Sequence, residues 1–169
     1  LLIRNYSAWE DTHREPIHGL FWQSDGADGM EVSVGGQLDN NGKQASDYKG
    51  IRPTINSYMY GDARAIAALA RQLGDTTVCR RFNQKADSIK QIMQRLLWSD
   101  SLQFFGTIAL DKNQVRPNLL PVRELIGYTP WYFNLPDNNP VYTVSWKQLM
   151  DTAGFMAPFG PTTCERRHP

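Results

Sequence analysis

Two cysteines and three histidines among 169 residues leave little room for metal or disulfide chemistry. Cys79 and Cys164 lie far apart without metal-ligand spacing, so a disulfide scaffold has no support, and the thiol count says little about compartment. His13, His18 and His168 form no HxxxH or HExxH pair. Neither a GxGxxG nor a Walker loop is present, which removes the common nucleotide folds. An excess of one charge is lacking too. Eighteen Lys and Arg oppose 17 Asp and Glu, a net charge of +1, and nothing points to nucleic acid or an anionic membrane as partner. No run approaches the ~20 apolar residues of a membrane span. Leu1-Leu2-Ile3 meets Arg4-Asn5 at once and is not a signal-peptide core. The absence of any tandem period counts against a helical-repeat interaction protein.

What is present is 41% hydrophobic and 21% charged, the composition of a soluble globular domain, at a length that suits one ordinary domain. Leu1 to Glu10 reads as helix without a cap before it, and Pro161 to Pro169 is irregular. The chain is therefore expected to be a piece of a longer domain.

The clearest element runs from Asn56 to Leu73, where Met59, Ala63, Ile66, Ala67, Ala70 and Leu73 recur at three- and four-residue steps. Asn56 or Ser57 can cap its start, and Gly74 sits where a helix end wants a left-handed residue. Asp75 or Thr76 can cap a second helix, about Thr76 to Leu97, with Val78, Phe82, Ala86, Ile89, Met93 and Leu96 as its stripe. The pair predicts an antiparallel αα-hairpin. Gln103 to Val115 is apolar and β-prone with a turn signal at Asp111-Lys112-Asn113, which predicts a short hairpin or extended pair. Shorter helices are expected from Pro130 to Asn134, with Thr129 able to cap, and from Pro140 to Met150. Gly19 to Arg52 and Thr152 to Pro169 read as long loops, and such loops often carry function.

The loop Gly19-Leu-Phe-Trp-Gln-Ser-Asp-Gly-Ala-Asp-Gly-Met-Glu31 places Asp25, Asp28 and Glu31 behind Phe21-Trp22. Glycoside hydrolysis needs a carboxylic acid that protonates the leaving oxygen, and apolar walls that raise its pKa. Aromatic rings also stack on sugar faces. Asp-Gly pairs are equally good turns, so spacing alone leaves a turn and an acid loop both open.

Trp22-Gln-Ser-Asp-Gly-Ala-Asp28 resembles the Trp-Glu-Ser-Gly-x-Asp signature of the glycoside hydrolases that include processing α-glucosidase and mannosylglycerate hydrolase, with trehalase more distant. The order that follows is similar as well: a long helix, Leu73-Gly74, a second helix ending Leu97-Trp98, then Phe104-Phe105-Gly106 and the loop Arg123-Glu124-Leu125-Ile126-Gly127-Tyr128. Gly29-Met-Glu-Val-Ser-Val-Gly-Gly36 and Arg52-Pro-Thr-Ile-Asn-Ser-Tyr-Met-Tyr60 look like the mannosylglycerate-hydrolase-like branch. The resemblance covers nearly the whole chain. It implies a mainly α fold, part of an (α/α)6 toroid with a short β-hairpin and long active-site loops, residues 1–169 forming a middle portion of one catalytic domain.

The signature's final Asp is the family's general acid, and that position falls on Asp28. One extra residue lies between Trp22 and Asp28, Gln23 replaces Glu, and the family's Ser-Pro-Arg after the acid is replaced by Gly29-Met30-Glu31, so Asp25 and Glu31 stay as alternatives. An inverting glycosidase is implied, with a general-base Glu beyond Pro169, a carbohydrate substrate, the rest of the same catalytic domain as partner, and no cofactor. Glu165 is the late Glu within the chain and reads as a rim residue paired with a neighbouring Arg. Trp22, Asn56, Tyr58 and Trp131 are candidates to touch the sugar; for Asn56 capping, and for Tyr58 and Tyr60 helix packing, are the competing readings. His18 reads as structural. A non-catalytic carbohydrate-binding α-toroid is the alternative function.

Overall fold

The computed structural model describes residues 1–29, 33–34, 49–110 and 119–168. Its described elements run in the order α1 (Leu2–His13), β1 (Trp22–Ser24), β2 (Lys49–Ile51), α2 (Pro53–Gln72), α3 (Thr76–Leu96), β3 (Trp98–Ser99), β4 (Phe104–Phe105), β5 (Ile108–Ala109), α4 (Thr129–Tyr132) and α5 (Pro140–Thr143). Tight 3₁₀ turns occupy Gly26–Asp28, Leu125–Tyr128 and Val144–Met150. The molecule is mainly helical, and none of its described helices is long and apolar enough to cross a membrane.

Helices α2 and α3 form the expected hairpin. Met59, Ala63, Ile66 and Ala67 of α2 meet Phe82, Ala86, Ile89 and Met93 of α3 in one buried cluster. Each of the larger side chains, Met59, Ile66, Phe82, Ile89 and Met93, contributes roughly 1.5–3 kcal/mol when fully buried. Gly74 takes φ +76, the left-handed turn that the helix end requires. Asp75 then caps α3 by accepting a 2.9 Å bond from the Val78 N–H. Helix α2 starts at Pro53, three residues before the predicted Asn56. Proline suits the first turn because its φ is preset and its missing N–H is not needed there. Asn56 is therefore inside the helix and caps nothing.

The β-prone segment after α3 divides between two partners. Phe104–Phe105 pairs antiparallel with Trp98–Ser99, while Ile108–Ala109 joins the far side of β2 in a three-stranded antiparallel sheet ordered β1-β2-β5. An extended pair is present too, but its second arm lies beyond the predicted Val115: Ile108 bridges Leu119, and the Leu120 N–H bonds Thr107 O at 2.9 Å. The turn signal Asp111-Lys112-Asn113 lies outside the described residues. Thr129 does not cap α4; its hydroxyl donates backwards to Ile126 O at 2.7 Å. The helix predicted from Pro140 to Met150 is α for one turn and 3₁₀ thereafter, with Asn139 capping its start. At the Gly74 end of the hairpin, Leu1, Leu2, Ile3, Leu69 and Leu73 border an open apolar groove of about 400 Å³.

Candidate active site

The sheet and the start of α2 form one unit that holds the acid loop. Trp22 stands opposite Ile51 and Gln23 opposite Gly50 in the β1–β2 register. Asn56, fully buried on the first turns of α2, locks β1 to the helix. Its amide donates to Phe21 O at 2.9 Å and Arg52 O at 2.8 Å, and its carbonyl accepts from the Phe21 N–H at 2.8 Å. All of these bonds go to backbone, so within this chain the side chain positions the loop. Asn56→Ala would strand the two Phe21 backbone groups, at about 1–3 kcal/mol for each left unsatisfied, while Arg52 O keeps the Asn56 backbone N–H. A drop in the denaturant midpoint is expected; an unchanged midpoint would contradict this role.

After β1 the chain makes one 3₁₀ turn, Gly26–Asp28, braced by Gln23 Nε2 donating to Ala27 O at 2.9 Å. Gly29 ends it at φ +66, a left-handed conformation that glycine adopts without strain. The turn reading holds, and the turn leaves the Asp25 and Asp28 side chains buried at 1% and 2% exposure.

Asp25 and Asp28 both face the guanidinium of Arg52, which is fully buried at the N-cap of α2. Arg52 Nη2 forms a tight ion pair with Asp25 Oδ1, and Ser33 Oγ lies 3.0 and 2.8 Å from the two Asp25 oxygens as donor. Arg52 Nη1 is 3.5 Å from Asp28 Oδ2, which also accepts a 2.5 Å bond from Thr54 Oγ1. The two carboxylates therefore differ in kind. Asp25 takes the short ion pair and both Ser33 hydroxyl contacts, interactions that are strongest with a charged carboxylate. Asp28 takes the longer contact; burial pushes its carboxyl above the usual range, and the Thr54 bond only partly opposes that. Burial also lowers the Arg52 guanidinium to about 10, opposed by Glu124, which still leaves it charged at neutral pH.

Tyr58, one turn beyond Thr54, is 44% exposed and packs edge-on against Phe133 at 5.9 Å. Burial and the Asp28 charge raise its hydroxyl pKa, so it shares the Asp28 environment and keeps a face to solvent. Trp22 is half-buried, with the His13 ring at 4.7 Å and Lys49 Nζ 4.4 Å from its own ring centre. Trp131, on α4, is half-buried against Phe105 and Trp146, each 5.4 Å away. Tyr60 is buried in the core, as the packing reading had it. Glu31 lies outside the described residues.

Glu165 is 4% exposed and takes the Arg123 N–H at 2.9 Å and Arg123 Nη1 at 2.6 Å. It is paired with an Arg, as expected, although it sits inside the fold and not on a rim. His18 is bound to Glu15 by its ring at 2.5 Å and its backbone N–H at 2.6 Å, a local turn structure. Sequence reasoning missed Arg52 as the hub. A usable signal existed: an Arg directly before the helix-starting proline, downstream of a loop with three carboxylates.

Comparison with known proteins gives a consistent answer. The model of the family described as "Mannosylglycerate hydrolase MGH1-like glycoside hydrolase domain" matches residues 1–169. A solved structure titled "Sialidase" is 44% identical over 99% of this chain, with a TM-score of 0.87. The chain spans 14% of the length of that protein. No curated protein matches.

Proposed function

The chain belongs to the mannosylglycerate hydrolase MGH1-like glycoside hydrolase domain family, and from that premise we propose that it supplies the general-acid part of an inverting glycosidase built on an (α/α)6 toroid, residues 1–169 forming a middle portion of the catalytic domain. Asp28 is the proton donor to the glycosidic oxygen. A glutamate from outside these 169 residues activates water on the opposite face, with the carboxyls ~6.5–9.5 Å apart. Tyr58 edges the sugar site, and Trp22 and Trp131 form its aromatic walls. The 169 residues alone are inactive on this reading, because the base is missing.

The observation that carries the reading is the division of labour around Arg52. Asp25 neutralises the guanidinium, which leaves Asp28 desolvated and raised, the state a general acid needs near neutral pH. Glu165 is already neutralised by Arg123 and does not fit a free base. The test is stereochemical. The intact protein is incubated with glycosides, and the first sugar released is followed by proton NMR before mutarotation. Release of the opposite anomer is expected. Retention would overturn the inverting assignment, and binding without hydrolysis, indifferent to Asp28→Asn, would favour the carbohydrate-binding toroid.

A further inference from the structure

A cleft of about 250 Å³ lies between α1 and α3, beside the backbone that enters the acid loop. Helix α1 contributes Tyr6 and Glu10, one turn apart, and Arg14 follows at its end. Helix α3 contributes Arg81, Gln84, Lys85 and Ser88, a spacing that puts all four on one face. Buried Phe21 adds an apolar wall, and the Arg14 backbone is bridged to it. The charges in this cleft do not balance. Glu10 is the single carboxylate among the lining residues, and Lys85 Nζ already holds it at 2.5 Å. Arg81 lies 5.0 Å from the Phe82 ring centre, and neither it nor Arg14 has a carboxylate partner among the described residues. Tyr6 is 2% exposed, and its hydroxyl is buried without a hydrogen-bond partner among the described residues. A buried donor left unmet marks a place where a further acceptor belongs.

We propose that this cleft is a binding site for a phosphate group, free or carried by a small molecule, and that it is independent of the assignment of Asp28. The cavity falls short of the ~300–1,000 Å³ of pockets built for larger organic ligands, so its occupant is small. Two guanidiniums present planar forks suited to oxyanions, and Lys85 adds a third cation, steadied by Glu10. Three cations against one carboxylate match a dianion better than a monoanion. A phosphate carries enough oxygens to meet both forks and leave an acceptor for the Tyr6 hydroxyl, whereas a carboxylate has two. Gln84 and Ser88, both exposed, add neutral donors.

The test titrates inorganic phosphate into the intact protein at about pH 8, where it is a dianion, with ionic strength held constant and binding followed by calorimetry. Saturable binding is expected. Arg81→Gln should weaken it about tenfold or more, the loss of one charge-assisted hydrogen bond, and Arg14→Gln combined with Arg81→Gln should abolish it. Ser88→Glu sets a carboxylate into the cleft from the α3 face; it should abolish binding too, and it serves if the double variant does not fold. Absence of saturable binding to the intact protein overturns the proposal, which is the result if an acidic side chain from elsewhere in the polypeptide fills the cleft. Undiminished binding in the folded double variant or in folded Ser88→Glu overturns it as well, because the phosphate then sits elsewhere. Glucose 6-phosphate titrated in parallel separates the two sources: tighter binding than inorganic phosphate assigns a sugar phosphate, and weaker binding assigns the free ion.

Discussion

In the intact enzyme, Asp28→Asn should nearly abolish turnover of glycosides with poor leaving groups while sparing much of the activity on glycosyl fluorides. Asn has the same shape and can still accept the Thr54 hydroxyl bond, but it delivers no proton. General-acid catalysis contributes ~10²–10⁴-fold, so that is the size of the expected loss. A fluoride leaves with little protonation and feels less of it. Asp25→Asn is the informative control. Its side chain is held by Arg52 and Ser33 with 1% exposure, so it should damage stability and both substrate types alike. Glu31→Gln completes the set. A leaving-group-dependent loss in Asp25→Asn or Glu31→Gln, with none in Asp28→Asn, would move the acid to another position in the loop.

The second large effect is expected at Arg52. Arg52→Leu removes the cation from a buried cluster and leaves Asp25 and Asp28 without their shared partner. Breaking a buried ion pair from one side typically costs ~3–5 kcal/mol, a large share of the ~5–15 kcal/mol that holds a domain together. The sign of the pH dependence follows from which group is stranded. Carboxylates without a cation prefer the neutral acid, so the variant's deficit should be largest near pH 7 and shrink as acidification protonates them. Denaturant midpoints of wild type and variant, compared at pH 7 and pH 5, measure this. A gap that stays constant or widens at pH 5 would show that packing, not charge, is what Arg52 supplies. Arg52→Lys should recover only part of the loss, because an ammonium is a point charge and cannot fork between Asp25 and Asp28 as the guanidinium does.

How much of this was legible beforehand differs by element. The α2–α3 hairpin could be read at once because everything that makes it is local: apolar residues at three- and four-residue steps, a glycine for the left-handed end, and Asp75 for the cap. The acid loop was also visible, as three carboxylates punctuated by glycines behind Trp22. The first residue of α2 was misplaced because Asn56 looks like a cap. Its amide is instead claimed by Phe21, 35 residues earlier, and that preference belongs to the tertiary structure.

The same limit governs the strands. Phe104 to Ala109 has β-prone composition, but composition carries no partner, and the segment splits between β3 and β2 where backbone groups are waiting to be paired. The sequence by itself determined the helical hairpin, the turn that presents Asp28, and the family. Which of two neighbouring aspartates takes the short ion pair with Arg52 and which the longer contact was decided only by folding. That contrast depends on a guanidinium and a hydroxyl brought in from 24 and 26 residues beyond Asp28, and a charge in a desolvated site takes its protonation state from the neighbours that the fold places around it.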